Sequence, residues 1–287
     1  MGEDEWLDRL EAVPVATALG RLHVRVGGAK DAPVLLCWPT LLTDASMWQY
    51  QFEHFADRYR MILIDGPGHG RSDPLRRRFT MQDCADALIE VLDALGVDRM
   101  VLIGNSWGGM LATVFPAYYP QRTAGVVAIN ATASAATFRQ RLRGRALATI
   151  FAGRKRMPWF TYRLVVAAFS GPTARAERPE FMEFLHLAER QDPASMAWAI
   201  RSVLVDRRDE HELLAGITDC PVLVIAGEED SEFPVEVSRR MADAIPGSRL
   251  KVLRHTSHLA ARENPSVVNA VIDDFLEGLK WPPHATS

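Results

Sequence analysis

Five short, mostly apolar runs recur along the chain, and the segments between them carry apolar residues at helical spacing. Each run is far shorter than the roughly 20 residues that span a bilayer, and its continuous apolar character is typical of a strand buried on both faces. Such strands in alternation with helices indicate a parallel sheet that is covered by helices on both sides. We predict these buried strands at Val34–Trp38, Arg60–Asp65, Arg99–Gly104, Val126–Asn130 and Val222–Ala226.

The same alternation extends to weaker patterns and is interrupted once. The additional predicted elements are strands Leu22–Val26 and Arg249–Leu253 and helices Ser46–Asp57, Met81–Leu95, Trp107–Tyr119, Val235–Ala244 and Pro265–Leu279. From residue 132 to residue 214 the patterns are helical only, and prolines divide them into several short helices. We therefore expect an α/β core formed by residues 1–131 and 215–287, with a helical insertion at residues 132–214.

Composition argues against several classes of function. The chain has 287 residues with 33 Lys and Arg against 36 Asp and Glu, so its net charge of −3 gives no general reason to bind nucleic acid or an anionic membrane. The acidic N-terminal sequence does not resemble a secretory signal, and a cytoplasmic location is expected. Cys37, Cys84 and Cys220 are widely spaced and predicted to be buried. The sequence contains no motif for a metal ion or a cofactor, so none is expected.

A G-x-S-x-G motif, at Gly104–Gly108, lies between a predicted buried strand and a predicted helix. A strand-to-helix turn this tight needs glycine at both ends, because side chains at 104 and 108 would collide. The turn lifts Ser106 into an exposed, strained position with its hydroxyl at the helix N-terminus. We therefore predict Ser106 as a nucleophile rather than an incidental serine in a glycine-rich turn.

A serine nucleophile needs a general base, and the base needs an acid to orient it. In this architecture the chain order is Ser, then Asp or Glu, then His. Asp230 and His258 follow the last two predicted strands, at the sheet edge where sites form on parallel sheets. They are the predicted acid and base. The competing candidates are Glu228 and Glu229 for the acid and His255 for the base.

The oxyanion of an acyl-transfer intermediate needs backbone N–H donors. One is predicted at Trp107, the residue after the nucleophile, and the other in the loop after the strand Val34–Trp38. Because Pro39 has no N–H, Thr40 is the first available donor past that strand and Leu41 is the second. Donors of this kind are each worth about 10²- to 10³-fold in rate.

These motifs together resemble the α/β-hydrolase family with a cap domain, over nearly the whole chain outside the insertion. The resemblance rests on Asp65–Ser72 (DGPGHGRS), Gly104–Gly109, Gly227–Asp230, Ser257–His258 and Glu263–Pro265. It implies Ser106, Asp230 and His258 as a catalytic triad, with an active site between core and cap. In such relatives the histidine that corresponds to His69 is structural.

The loop after the predicted strand Val34–Trp38 indicates which subgroup of this family the chain resembles. Most relatives have His-Gly there, where this chain has Trp38-Pro39. The segment Pro39–Trp48 instead resembles the loop of 3-oxoadipate enol-lactonases, which carry a similar Leu-Gly-Thr-Asp…Met-Trp run. The sequence therefore favours a serine hydrolase that cleaves a small carboxylic ester or lactone without a cofactor.

Other functions stay open at this point. The Gly-Asn-Ser-x-Gly-Gly segment also resembles carbon–carbon bond hydrolases of ring meta-cleavage products, but those usually carry a tryptophan soon after the histidine, where Leu259 follows here. A non-catalytic ligand-binding protein of this fold is the other alternative, and the intact triad argues against it. Dehalogenases and epoxide hydrolases are disfavoured because they place an aspartate where Ser106 stands. The expected partner is a small-molecule ester or lactone; a homo-oligomer is left open, and nucleic acid and membrane are not expected.

The predicted insertion is rich in basic and aromatic residues. The basic residues of its first half are Arg139, Arg141, Arg143, Arg145, Arg154, Lys155, Arg156 and Arg163. Because charge runs are usually solvated, we expect a solvated face or an intersubunit surface rather than recognition of a substrate carboxylate. The aromatic and methionine residues, expected to line an apolar pocket or to pack the insertion onto the core, are Phe138, Met157, Trp159, Phe160, Phe181, Phe184, Met196 and Trp198.

Overall fold

The computed structural model describes residues 6–152, 154, 158–170, 172 and 179–279, and in them the chain forms one eight-stranded sheet. The strands are β1 (Glu11–Thr17), β2 (Gly20–Gly28), β3 (Val34–Trp38), β4 (Arg60–Ile64), β5 (Met100–Asn105), β6 (Thr123–Ile129), β7 (Val222–Gly227) and β8 (Arg249–Leu253). Their order is β1-β2-β4-β3-β5-β6-β7-β8, with antiparallel pairing at β1–β2 and β2–β4 and parallel pairing from β4 to β8. The predicted α/β fold with a mostly parallel sheet is confirmed.

The middle of the sheet is buried on both faces, as continuous apolar runs require. Every residue of β3, β5, β6 and β7 is buried. The sequence did not predict β1, of which only Val15 is buried, so that it has no apolar run to recognise. β1 also contains Pro14, which is tolerated because β1 is the edge strand of the sheet.

Helices flank the sheet and fill the predicted insertion. They are α1 (Gln49–Phe55), α2 (Met81–Ala94), α3 (Trp107–Tyr118), α4 (Phe138–Phe151), α5 (Trp159–Phe169), α6 (Pro179–Glu189), α7 (Pro193–Ile200), α8 (His211–Leu214), α9 (Val235–Asp243), α10 (Ala260–Glu263) and α11 (Pro265–Glu277). Local sequence explains the ends of α2: Thr80 and Asp83 form a reciprocal capping box, and Gly96, with a φ of +61°, follows the C-terminus.

Between β6 and β7 the described residues form α4 to α8 and contain no strand. A short helical turn, Arg201–Val205, continues α7 and packs against α4. Gly144 permits this contact, because a Cβ there would lie 2.8 Å from the side chain of Val205. Lys155, Arg156 and Met157 lie outside the described residues.

Two further findings bear on function. Cys37, Cys84 and Cys220 are buried free thiols, and burial raises the pKa of each, to about 12 for Cys220, so none of them is a thiolate at neutral pH. No helix in the described part of the chain is both long and apolar enough to cross a bilayer.

Candidate active site

The turn between β5 and α3 holds Ser106 in a strained conformation. Its φ of +55° is left-handed, which costs a non-glycine residue about 1–2 kcal/mol. A Cβ on Gly104 would lie 2.1 Å from the backbone of Gly108, and a Cβ on Gly108 would lie 2.1 Å from the carbonyl oxygen of Trp38. Both glycines are therefore required. The Ser106 N–H donates to the Ile129 carbonyl at 2.8 Å and so ties the turn to β6.

His258 and Asp230 form a buried hydrogen-bonded pair. Nδ1 of His258 lies 2.9 Å from Oδ2 of Asp230, and both side chains are almost completely buried. Oδ1 of Asp230 accepts the N–H groups of Glu232 and Phe233, at 2.9 and 3.0 Å. The fixed carboxylate therefore favours the tautomer with the proton on Nδ1, and Nε2 becomes the nitrogen that accepts a proton.

The competing acid and base candidates form no such pair. The side chain of His255 is 81% exposed, and its Nδ1 lies 3.7 Å from Oε1 of Glu229. Glu228 is exposed and accepts the backbone N–H of His255 at 3.3 Å. The structure thus brings Asp230 and His258 together in the interior and places His255 in solvent.

The charges around His258 raise its pKa. Burial is the largest single cause and by itself would lower the pKa, but the charge and the hydrogen bond of Asp230 and the charges of Glu232 and Glu263 together outweigh it. The pKa of His258 therefore lies above its usual value. A general base becomes an imidazolium in the intermediate, so this environment stabilises the form that catalysis would produce.

Side chains that the sequence analysis did not assign to the site hold the loop of His258. Asn105 and Asn130 each donate a side-chain N–H to the His258 carbonyl oxygen, at 3.0 and 2.8 Å. The side-chain oxygen of Asn130 accepts the Gly227 N–H at 2.7 Å, so Asn130 joins the ends of β6 and β7. The carboxylate of Glu263 accepts the two N–H groups that flank His258. Asn105 is the last residue of β5 and Asn130 directly follows β6, so an amide at the end of a buried strand was the signal available in the sequence.

The two predicted oxyanion donors differ in their surroundings. Trp107 begins α3, and the N–H groups of a helix's first turn have no partner within the helix. The Thr40 N–H already donates to Sδ of Met47, at 3.4 Å. Leu41 lines the same cavity as Ser106, and its N–H has no hydrogen-bond partner in the described residues. The geometry therefore favours Leu41, the second candidate, over Thr40.

His69 supports the loop that carries Leu41. Its Nδ1 lies 3.0 Å from the Pro67 carbonyl oxygen, and its Nε2 lies 3.3 Å from the backbone nitrogen of Leu42. Nδ1–H therefore donates to Pro67 and Nε2 accepts the Leu42 N–H. Burial lowers the pKa of His69 to about 4, so the ring is neutral at neutral pH. Leu42 has a φ of +66°, and the hydrogen bond helps to hold this strained residue in place.

Ser106 and His258 line one small cavity between the core and the helical insertion. Its other lining residues are Thr40, Leu41, Leu42, Leu147, Phe184, Ile200 and Leu204. The free space, about 10 Å³, is room for the centre of about one water molecule. The side chains that line the cavity therefore almost fill it.

Ion pairs hold the insertion against the core. They join Arg190 to Asp44 (3.1 Å), Arg78 to Asp206 (3.0 Å), Arg262 to Glu183, and Arg143 to Glu232. The side chains of Arg262 and Glu232 are almost fully buried, so solvent screens these two pairs only weakly. Because the backbone N–H of Glu232 also donates to Asp230, α4 is connected directly to the loop of the candidate acid.

The aromatic residues of the insertion divide into two groups. Phe184 lines the cavity, and Phe181 and Met196 are buried. Three others are largely exposed, so the expectation that they line a pocket or pack onto the core is wrong: Phe138, Trp159 and Phe160. None of the described arginines of the insertion is among the residues that line the cavity.

Comparisons with known proteins agree with this architecture. Residues 33–265 match the family described as alpha/beta hydrolase fold. The 3-oxoadipate enol-lactonase 2 of Acinetobacter baylyi is 28% identical over 276 residues, which cover 94% of this chain and 96% of that protein. The Homo sapiens epoxide hydrolase 4 is 25% identical over 279 residues, 90% of this chain and 76% of that protein. The structure of a thermophilic esterase from Thermogutta terrifontis has a TM-score of 0.81 and 26% identity, over 93% of this chain and 98% of that chain.

The family match covers most of the chain, and it includes the G-x-S-x-G turn, Asp230 and His258. The strand order and the similar solved structure support the same family assignment. The activity that these relatives share in their names is hydrolysis. The chain therefore belongs to the α/β-hydrolase-fold family of hydrolases.

Proposed function

We propose that this chain is a serine hydrolase that cleaves a small, uncharged carboxylic ester or lactone through a triad of Ser106, His258 and Asp230. The observation that carries the proposal is the 2.9 Å hydrogen bond between His258 and Asp230, beside a cavity that Ser106 also lines. The esterase and the enol-lactonase among the similar proteins support ester chemistry. The helical insertion at residues 132–214 acts as the cap of this site.

In the proposed reaction, Nε2 of His258 takes the hydroxyl proton of Ser106 as Oγ attacks the carbonyl carbon. The N–H groups of Trp107 and Leu41 stabilise the oxyanion. The carbon–oxygen bond to the leaving alcohol then breaks, His258 returns the proton to that alcohol, and the acyl group stays on Ser106. A water molecule then loses a proton to His258 and attacks the acyl carbon, the bond from that carbon to Oγ of Ser106 breaks, and His258 returns the proton to Ser106 as the acid leaves. Asp230 stabilises the imidazolium in both steps.

The cavity favours an apolar acyl group. Leucine, isoleucine and phenylalanine side chains make up most of its described lining, and that lining contains no lysine or arginine. A lactone of 3-oxoadipate keeps a free carboxylate, and burying an unpaired carboxylate in such a cavity carries a large free-energy cost. We therefore expect an uncharged ester or lactone to be turned over better than an acid-bearing lactone.

Acid release in a pH-stat tests the proposal. Wild type and Ser106→Ala are compared on simple esters, saturated lactones, an enol-lactone and a vinylogous diketone acid. Ser106→Ala should lower turnover at least about 10⁴-fold, because it removes the atom that forms the acyl-enzyme. Ser134→Ala, a half-buried serine outside the cavity lining, is the matched control and should leave turnover unchanged.

Each outcome of the panel separates the alternatives. Ser106-dependent hydrolysis of an ester or lactone supports the proposal, and turnover that survives Ser106→Ala contradicts it. Turnover of the diketone acid alone would replace it with carbon–carbon bond hydrolysis. If the wild-type protein hydrolysed none of these compounds, a non-catalytic ligand-binding function would replace the proposal.

A further inference from the structure

The outward side of α4 presents large apolar side chains to solvent. Phe138, Leu142 and Ile150 are 80%, 62% and 41% exposed. Together with Ala146 they follow one another at four-residue spacing, which places them along one face of the helix. The opposite side of α4 is buried against the rest of the insertion. A monomer gains nothing from an exposed apolar stripe, and stripes of this kind mark interaction surfaces.

Arginines border this apolar stripe on both sides. α4 contains four arginines and no Asp or Glu, in a chain whose net charge is −3. Helical geometry places Arg141 and Arg145 on one side of the stripe and Arg139 on the other. Arg143 pairs with Glu232, whereas the other three form no ion pair with any residue in the described ranges. We call the stripe and these three arginines the α4 outer face.

A cleft of about 330 Å³ adjoins the α4 outer face. Its lining residues are Arg78, Arg145, Thr149, Arg201, Val205 and Asp206. Asp206 pairs with Arg78, but Arg145 and Arg201 have no carboxylate partner within the described part of the chain. The cleft therefore offers two cationic groups to an anion that lies beside the apolar stripe.

The next helix, α5, also exposes large apolar side chains. It is joined to α4 by an edge-on ring contact between Tyr162 and Phe151, with centroids 5.7 Å apart. Its exposed residues are Trp159, Phe160 and Leu164. Tryptophan and other aromatic side chains are enriched where a protein meets the membrane interface.

We propose that the α4 outer face is a docking surface for an anionic lipid surface, with the apolar stripe among the lipids and the arginines at the headgroup phosphates. An apolar centre with basic edges is the pattern of a helix that lies in the plane of the membrane interface. A second copy of the chain fits less well, because a twofold contact would bring both sets of arginines together. The expectation of no membrane partner rested on the net charge of the whole chain. That net charge does not reveal a local excess of arginines on one helix face.

Vesicle cosedimentation tests the proposal and does not depend on the proposed hydrolysis. The full chain should bind vesicles of phosphatidylcholine mixed with phosphatidylglycerol, should not bind phosphatidylcholine alone, and should be released by salt. Phe138→Ser with Leu142→Ser should lower the partition coefficient at least about tenfold, because apolar area that lipid would cover is lost. Arg139→Gln with Arg141→Gln and Arg145→Gln should lower it roughly 100-fold.

A matched variant removes three exposed arginines outside the α4 outer face and its cleft: Arg239→Gln, Arg240→Gln and Arg249→Gln. It should bind within about threefold of wild type, because charges far from the membrane are screened. An equal loss in both triple variants, or no binding of wild type to anionic vesicles, would overturn the proposal. A dimer in size-exclusion chromatography that Leu142→Ser dissociates would also overturn it, since a second copy would then cover this face. Circular dichroism melts verify that each variant is folded.

Discussion

Polar groups find partners in different ways in two regions of the molecule. One region is the sheet edge that carries the candidate triad, and the other is the helical insertion that covers it. At the sheet edge, Asp230 binds His258 and two backbone N–H groups, and Asn130 joins β6, β7 and the His258 loop. In the insertion, α4 leaves Arg139 and Arg141 in solvent, with no ion pair to any residue in the described ranges. Under the proposed function, this difference corresponds to a division of roles in which the core provides the catalytic groups and the insertion controls which molecules reach them.

The largest effect that separates the two regions is expected at Asn130. Asn130→Gly removes the amide that binds the His258 carbonyl and the Gly227 N–H, while glycine tolerates the φ of +48° at this position. Steady-state kinetics on an ester substrate should show kcat about 100-fold lower with little change in KM, because a displacement of about 1 Å at a catalytic group has this cost.

Asn269→Ala is the control for Asn130→Gly. Asn269 is a buried asparagine of α11 that donates to the Tyr50 carbonyl and lies outside the cavity lining. Its replacement should lower thermal stability and leave kcat unchanged. If both variants lost kcat in proportion to their stability, Asn130 would have no positioning role.

Substrate selectivity should respond to the insertion. Phe184→Ala enlarges the cavity, so the ratio of kcat/KM for a longer acyl ester over that for acetate should rise about tenfold. Phe181→Ala, a buried position on the same helix that is not part of the cavity lining, is expected to leave the ratio unchanged. An equal rise in both variants would mean that loosening of α6, rather than the cavity wall, determines selectivity.

The smallest effect is a shift of the pH profile. Because the base form of His258 is needed and its pKa is raised, kcat/KM should rise with pH with a midpoint above 6.5. Glu232→Gln removes one of the charges that raise this pKa, so the midpoint should move to lower pH. Glu228→Gln, which neutralises an exposed carboxylate two residues before Asp230, is the control and should leave the midpoint in place. A midpoint that is equal in all three proteins would argue against His258 as the titrating group.

Much of the core could be predicted because its signals are local. Continuous apolar runs locate the central strands, and the two glycines of the G-x-S-x-G motif follow from the tight turn. Chain order places the candidate acid and base in the loops of Asp230 and His258, but it leaves Glu228, Glu229 and His255 as alternatives. Each of these inferences depends on neighbouring residues or on the order of elements, and both can be read from a single sequence.

The remaining features depend on contacts between distant residues. The Thr40 N–H turns toward the sulfur of Met47, which spacing from the strand cannot show. Asn130 acts through two other segments that meet it only in the fold. β1 has one buried residue because it lies at the sheet edge, and its position in the sheet is not encoded in its own pattern.

The most direct test of Ser106 as the nucleophile is to label the protein with a fluorophosphonate and to identify the modified peptide by mass spectrometry. One adduct is expected, on the peptide that contains Ser106, and no adduct is expected in Ser106→Ala. Labelling should also fall in Asp230→Asn, because the imidazole loses its orienting carboxylate. An adduct on another serine, or no adduct on a folded wild-type protein, would contradict the assignment of Ser106.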